Sequence, residues 1–351
     1  MRITQSMVMN SYTSRLGKVF ENLNYATNQT ITKRKFLTAS EDPASTARAY
    51  QLRKSFQQNN DYLNNVNDVL DTMDSLYASM MVISNMAENV HIKLEEGRNG
   101  VWSKEDRLIF ANELENMQRT AVDALNAKFD DKFLFGGHHT KAKEPPFALK
   151  DGVLTFRGID VTTDDPAERA KLIEYYNETI YRDMGFGLAF ELDASGNPVL
   201  DKNGNPIVKE NSAFNTVYSG LKLICLDITD PDPKKNLILN FGLIAEALRS
   251  EADKDEPLDY DYTKELWEYL TKQRMNILGV VTKQGADHNF LEKQRTVLEV
   301  NSDNLNNKIM NVEFIDMELA INNLKMADYV YRASLEIGTK ILTPSFIDFM
   351  R

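Results

Sequence analysis

The chain has 351 residues, of which 42% are hydrophobic and 26% are charged, a composition that supports a buried core and excludes global disorder. It carries 41 Lys and Arg against 52 Asp and Glu, a net charge of −11. That balance argues against a general nucleic-acid-binding protein, which needs a basic surface to meet phosphates. The single cysteine, Cys225, excludes an intramolecular disulfide and a zinc cluster built from cysteines.

The charge is unevenly distributed along the sequence. Residues 1–60 hold nine Lys and Arg but three acids, so they carry +6 and the remainder of the chain carries −17. Two interpretations remain open. The basic segment is a solvated face, or it makes an electrostatic contact with the acidic part of another copy.

Three helices are predicted in the first 130 residues. A stripe of apolar residues at spacings of three and four marks the first helix and comprises Met9, Tyr12, Leu16, Val19, Leu23 and Ala26. The second begins near Ser40, the expected N-cap, and has no Gly or Pro between Ala44 and Glu96, so it is roughly 80 Å long at 1.5 Å per residue. Gly97 and Gly100 are expected to end it, and a third helix is predicted over 104–128.

The C-terminal region contains a sustained heptad of apolar residues, namely Leu291, Leu298, Leu305, Val312, Leu319 and Met326. Its second core position is mostly polar, with Gln294, Asn301, Lys308 and Asn322. This pattern predicts one long helix that packs among several neighbours rather than in a single dimer seam. Gly338 and Pro344 are expected to end that helix.

The middle of the chain, about residues 140–260, has a different character, since eight of the ten prolines lie there. Alternation in 152–161 predicts a strand, two Gly-Asn-Pro turns in 194–208 predict a hairpin, and the apolar run 221–228 predicts a buried strand containing Cys225. The predicted fold class is therefore mainly α, with an inserted α+β or mostly β domain and a long antiparallel helical rod built from both chain ends.

No pattern in the sequence favours catalysis or a cofactor. The adjacent His138 and His139 point to opposite sides of an extended chain, and Asp201–Asn205 is better explained as a turn than as a calcium loop. Phosphate-binding loops and nucleophile elbows are absent. We therefore predict that the protein is not an enzyme and has no metal or cofactor site. Without a signal-peptide pattern or a long apolar run, we also expect neither a cleaved leader nor membrane insertion.

Four motifs at the two ends of the chain resemble the bacterial flagellin superfamily, and within it the hook–filament junction proteins, or hook-associated protein 3. They are MRIT at 1–4, TASEDPASTARA at 38–49, FDDKFLFGG at 129–137 and PSFIDFMR at 344–351. The resemblance covers roughly residues 1–140 and 285–351. It implies an N-terminal helical assembly segment (1–140), an inserted mixed, mostly β outer domain (141–284) and a C-terminal helical assembly segment (285–351) that packs on the N-terminal helices.

The resemblance also implies a function. It indicates a structural subunit of the extracellular flagellum that joins a hook-associated protein to the flagellin filament by helical self-assembly, after type III export without a cleaved signal peptide. The implied partners are copies of itself in a ring, another hook-associated protein, flagellin and a flagellar export chaperone, without nucleic acid. The expected assembly interface comprises Met9, Tyr12, Leu16, Val19, Leu23, Leu298, Leu305, Val312, Leu319, Met326, Phe346 and Phe349.

Two other functions remain open at this stage. The second hypothesis is that the chain is a subunit of the flagellin filament, since flagellin is the near relative within the superfamily. The third hypothesis, from a different class, is a cytoplasmic coiled-coil adaptor, which the heptad alone would also explain.

Overall fold

The computed structural model describes residues 5–99, 102–141, 143–193, 195–200, 204–209, 212–254 and 260–342. Helices dominate this part of the chain, and the strands are short. The helices are α1 (Gln5–Thr32), α2 (Pro43–Asn99), α3 (Lys104–Leu125), α4 (Pro166–Tyr176), α5 (Gly220–Ile224), α6 (Leu237–Lys254), α7 (Tyr260–Glu313) and α8 (Met317–Leu342). The strands are β1 (Lys128–Phe129), β2 (Lys132–Phe133), β3 (Phe147–Lys150), β4 (Val153–Phe156), β5 (Ile159–Asp160), β6 (Tyr181–Arg182) and β7 (Phe214–Asn215).

The chain forms two compact units. The terminal unit contains residues 1–61 and 298–351, and the central unit contains residues 62–297. Helices α2 and α7 contribute residues to both units. The fold is mainly α, as predicted. Of the two descriptions offered for the middle, α+β is confirmed and mostly β is wrong, because α4, α5 and α6 hold more residues than strands β3 to β7. The domain boundaries at 140 and 284 stay a prediction.

In the terminal unit, α1 and α8 run antiparallel. The Tyr12 hydroxyl donates to the carbonyl of Ser334 at 3.0 Å, and the Thr30 hydroxyl lies 3.4 Å from the carbonyl of Ala320. The parts of α2 and α7 in this unit are also joined, because the buried Asn59 amide donates to the carbonyl of Leu298 at 2.8 Å. Helices from the N-terminal and C-terminal parts of the chain therefore pack antiparallel in this unit.

The predicted single C-terminal helix is wrong, because it is broken at Phe314–Asp316. The backbone that follows α1 forms two hydrogen bonds with the chain at this break. Lys35 N donates to the carbonyl of Glu313 at 2.7 Å, and Ile315 N donates to the carbonyl of Lys33 at 3.0 Å. Helical periodicity does not detect this break, since it arises from a contact between residues about 280 positions apart.

The end of α8 also differs from the prediction. The helix passes through Gly338 and extends to Leu342, while Pro344 lies outside the described residues. Gly338 is buried against Tyr12, where an added Cβ would collide with the phenol oxygen. This glycine therefore serves close helix packing rather than helix termination.

The start of α2 needs a similar correction. Ser40 is not the N-cap, because the helix begins at Pro43 and the carboxylate of Asp42 accepts from Ser45 N at 2.9 Å. Pro43 then occupies the first helical position, where the missing N–H costs nothing. At its other end α2 continues past Gly97 to Asn99, and α3 ends at Leu125.

The hydrophobic core lies in the central unit. Helices α2 and α7 run antiparallel here too, with the Gln284 amide donating to the carbonyl of Met73 at 2.8 Å, and α3 packs on α6. The largest fully buried side chains of the described residues include Phe135, Phe147, Phe156 and Phe241. These large side chains are therefore covered within one chain.

The strand predictions in the middle are partly correct. The single strand predicted over 152–161 is wrong in its bounds, because the chain turns at Arg157–Gly158 between β4 and β5, which form an antiparallel sheet with β3. The predicted hairpin is seen as the bridges Leu192–Pro198 and Leu200–Pro206, which flank the two Gly-Asn-Pro turns. The predicted strand at 221–228 is wrong, because this run contains most of α5. Cys225 is buried as predicted. An apolar run without a polar face suits a short buried helix as well as a buried strand, so periodicity does not separate the two.

Candidate assembly interface

The described residues of the terminal unit bury few apolar side chains, which makes its helices the candidate site. Among its described residues, the buried apolar side chains are Ala26, Ala49, Leu298, Ile309 and Ala320. Three of these five are alanines, so the unit has almost no core of large side chains. Long amphipathic helices that share so small a core leave apolar faces exposed, and other surfaces can cover these faces.

The residues of the predicted stripe on α1 differ in how far their side chains are exposed. Tyr12, Leu16, Val19 and Leu23 are half-buried, whereas Met9 is exposed. The sequence did not identify Phe20 and Ile31, which are also exposed. Residues eleven positions apart complete about three helical turns, so Met9, Phe20 and Ile31 lie on one face of α1.

The predicted C-terminal row is divided in the same way. Leu298 is 4% exposed and has no surface to offer a partner, which corrects its place in the expected interface. Leu305 and Val312 are half-buried, and Leu319 and Met326 are exposed. Phe346 and Phe349 lie outside the described residues.

An exposed apolar stripe on α8 continues beyond the predicted row. Leu319, Met326, Val330 and Ile337 are all exposed, with Met326 at 66%. Their spacings of seven, four and seven place the four side chains within about 20° of one line along the helix. The heptad identified the first two, and continuing the alternation of four and seven would have found the others.

The described residues contain no cluster suited to holding a metal ion, since no group of three His, Cys, Asp or Glu side chains in them is arranged for it. His138 belongs to a structural contact, in which its backbone N–H donates to the Glu178 carboxylate at 2.7 Å. No helix within the described ranges combines the length and apolar character needed to cross a bilayer.

A buried ion pair organises the central unit around the Gly136–His139 segment. The Arg157 guanidinium donates two hydrogen bonds of 2.7 Å to Glu178 and another to the carbonyl of Gly136, and the two side chains are 7% and 8% exposed. Burial opposes ionisation of Glu178, but hydrogen bonds from Arg157 and His138, together with their charges, lower its pKa. Arg157 also lies over the ring of Tyr175.

No protein-family model matches the chain, and no curated protein sequence matches it. Solved structures do match its fold. A protein of Vibrio parahaemolyticus described as a flagellar hook-associated protein superposes with a TM-score of 0.57 at 15% identity, over 78% of this chain and 100% of the other. Flagellar hook-associated protein-3 of Legionella pneumophila gives a TM-score of 0.49 at 11% identity, over 75% and 98% of the two chains.

FlgL of Bacillus cereus also matches, with a TM-score of 0.47 at 15% identity, over 74% of this chain and 99% of the other. Because the identities are low, the comparisons concern the fold alone. Of the three, the Vibrio structure has the highest TM-score, and the assignment of the fold rests on it. The resemblance that the terminal motifs indicated is thereby confirmed at the level of fold: the chain has the fold of a flagellar hook-associated protein.

Proposed function

We propose that this protein is a structural subunit of the bacterial flagellum that assembles with copies of itself at the junction between hook and filament. The observation that carries the proposal is the exposed apolar stripe on α8, in a terminal unit whose described residues bury few large side chains. Each apolar side chain that a neighbour covers contributes about 1.5–3 kcal/mol. Neighbouring copies in a ring would supply the surface that the chain lacks.

The partners follow from this position. One end of the ring contacts another hook-associated protein and the other contacts flagellin, and the protein is extracellular after export without a cleaved signal peptide. A flagellar export chaperone covers the C-terminal helix before assembly, because an exposed stripe of this length promotes aggregation. The similarity in fold to hook-associated proteins supports this arrangement.

The test replaces Leu319, Met326 and Ile337 together by serine in the source bacterium. We expect the variant to release unpolymerised flagellin into the medium, because rings lacking the stripe do not hold the filament. The matched control replaces the exposed polar residues Asn322, Asn323 and Lys325 of the same helix by serine and should retain filaments. Normal filaments on the stripe variant would refute the proposal.

Deleting the chain distinguishes this function from that of a filament subunit. Loss of a junction subunit leaves flagellin secreted but unpolymerised, whereas loss of flagellin removes the filament material itself. Recovery of the protein in sheared flagella would exclude a cytoplasmic adaptor.

A further inference from the structure

The antiparallel pair of α1 and α8 carries two faces that expose apolar side chains and no charged ones. We call them the α1 face, which comprises Met9, Phe20 and Ile31, and the α8 face, which comprises Leu319, Met326, Val330 and Ile337. At about 100° per residue, every Lys, Arg, Asp and Glu of the two helices lies at least about 60° around its helix from the centre of that helix's face. A neighbour can therefore cover either face without burying a charge.

The two faces lie on opposite sides of the pair. Tyr12 marks the direction from α1 toward α8, and Gly338, which lies against Tyr12, marks the direction from α8 toward α1. Counted from N- to C-terminus, the α1 face is rotated by about +80° from Tyr12, and the α8 face by about −100° from Gly338. Because the helices are antiparallel, these rotations have the same sense when the pair is viewed from one end, and they start from opposite directions. The faces therefore point to opposite sides, and one neighbour cannot cover both.

Three contacts fix which residues of α1 and α8 lie at the same level along the pair. They are the bond of the Tyr12 hydroxyl to the carbonyl of Ser334 at 3.0 Å, the ring contact of Phe20 with Tyr331 at 5.8 Å between centroids, and the approach of the Thr30 hydroxyl to the carbonyl of Ala320 at 3.4 Å. The two helices thus stay in one register from end to end.

This register aligns the members of the two faces. Counting from the three contacts at about 1.5 Å per residue places Met9 at the level of Ile337, Phe20 between Met326 and Val330, and Ile31 at the level of Leu319. Every member of the α1 face therefore has an apolar counterpart on the α8 face at its own level. Two copies that stand side by side without an axial shift would bring the counterparts together.

The size of the two faces suits a contact within an assembly better than an isolated dimer. Seven half-exposed apolar side chains, at about 100 Å² each, would remove about 700 Å² from water. A stable pair of proteins buries at least about 1,200 Å². One such contact is therefore weak alone, but a copy inside a ring makes it on both sides.

We propose that the α8 face of one copy packs on the α1 face of the next copy at the same level. Phe20 then fits between Met326 and Val330 of the neighbour. This inference rests on the proposed function and names the surface that covers its stripe. The two faces differ, so the contact is head-to-tail and repeats from copy to copy around a ring.

Disulfide trapping tests the contact in the full-length protein. The native Cys225 does not interfere, because it is buried and its burial raises the thiol pKa to about 12. One preparation carries Ile31→Cys and the other carries Leu319→Cys. Mild oxidation of the mixture should give at least about tenfold more heterodimer than a mixture of Ile31→Cys with Ile337→Cys, because that control joins the same two faces at levels about 27 Å apart.

The trapping yields also identify the other ways of covering the α8 face. Equal yields from the matched and mismatched pairs would overturn the proposal. If two α8 faces cover each other as antiparallel helices, a mixture of Leu319→Cys with Ile337→Cys would give the highest yield, and this result would overturn it as well.

A charge placed in the middle of the α1 face supplies the second measurement. Phe20→Glu in the Ile31→Cys preparation should reduce trapping by Leu319→Cys to the level of the mismatched pair, because the face would then bury a carboxylate. Adding Met326→Lys to the Leu319→Cys preparation should restore the yield, since the two charges meet at one level. The matched control Ser14→Glu adds the same charge at an exposed position on another side of α1 and should leave the yield unchanged. Trapping that survives Phe20→Glu, or that Met326→Lys does not restore, contradicts the inference.

These outcomes separate the contact from the proposed function. If the serine variant of α8 disrupts the filament while the matched and mismatched yields are equal, the assembly function stands and this contact is wrong. If the matched pair is trapped but the serine variant of α8 assembles normally, the two faces meet as inferred and the proposed function of the stripe is wrong.

Discussion

The buried pair Arg157–Glu178 provides a quantitative test of how the central unit is held together. Replacing Glu178 by glutamine keeps the shape of the side chain but leaves the guanidinium, 7% exposed, without a counter-charge. Breaking a buried pair in this way costs about 3–5 kcal/mol. Glutamine still offers one acceptor oxygen to Arg157 or to His138 N, so we expect a loss of free energy of unfolding near the lower end, about 3 kcal/mol.

Urea unfolding followed by tryptophan fluorescence measures this loss in the correct unit, because both tryptophans, Trp102 and Trp267, lie within residues 62–297. With a slope of about 3 kcal/mol/M, the midpoint should fall by about 1 M. The control Glu292→Gln makes the same chemical change in the exposed pair with Arg295 and should cost less than about 0.5 kcal/mol. Equal midpoints for the two variants would refute the reasoning.

The contribution of Glu178 to the free energy of unfolding should depend on pH in one direction. The pKa of Glu178 is lower in the folded chain, so its contribution is present above the unfolded value of about 4.3 and is lost as pH falls through the folded pKa. The difference in stability between wild type and Glu178→Gln should therefore shrink as the pH falls below about 4. A difference that stays constant to pH 2.5 would show that the charge of Glu178 is not what stabilises the unit.

Two further substitutions test the terminal unit. Asp42→Ala should destabilise the start of α2 and speed amide exchange in its first turn, whereas Ser40→Ala should not, since Asp42 is the residue that caps the helix; equal exchange in the two variants would contradict this assignment. Tyr12→Phe should weaken the pairing of α1 with α8 by about 1 kcal/mol through loss of the bond to Ser334, measured as faster exchange in α8, and the exposed Tyr329→Phe should have no such effect.

The sequence predicted α1, α2 and α3 because their signals are local, but it predicted neither α4 nor α6. Spacing and the absence of Gly and Pro defined α2, and the terminal motifs indicated the fold. It failed where a distant contact decides the structure: the break at Phe314–Asp316 depends on the backbone of Lys33 and Lys35, and Gly338 is retained inside α8 because it lies against Tyr12. A heptad likewise marks apolar residues that pack against another surface, but it does not specify whether that surface belongs to the same chain. For this reason it grouped Leu298 with Met326, although Leu298 is buried and Met326 is exposed.

That ambiguity bears directly on the proposed assembly. Leu298 and Met326 belong to the same sequence pattern, yet one is covered within the chain and the other is left to solvent. The central unit already has large buried side chains, so its stability should depend little on other copies. The terminal unit has few, so its helices should gain stability when copies associate, and their exchange rates should fall with protein concentration while those of the central unit stay constant. Concentration-independent exchange in α8 across the range where copies associate would mean that its stripe is not what they cover.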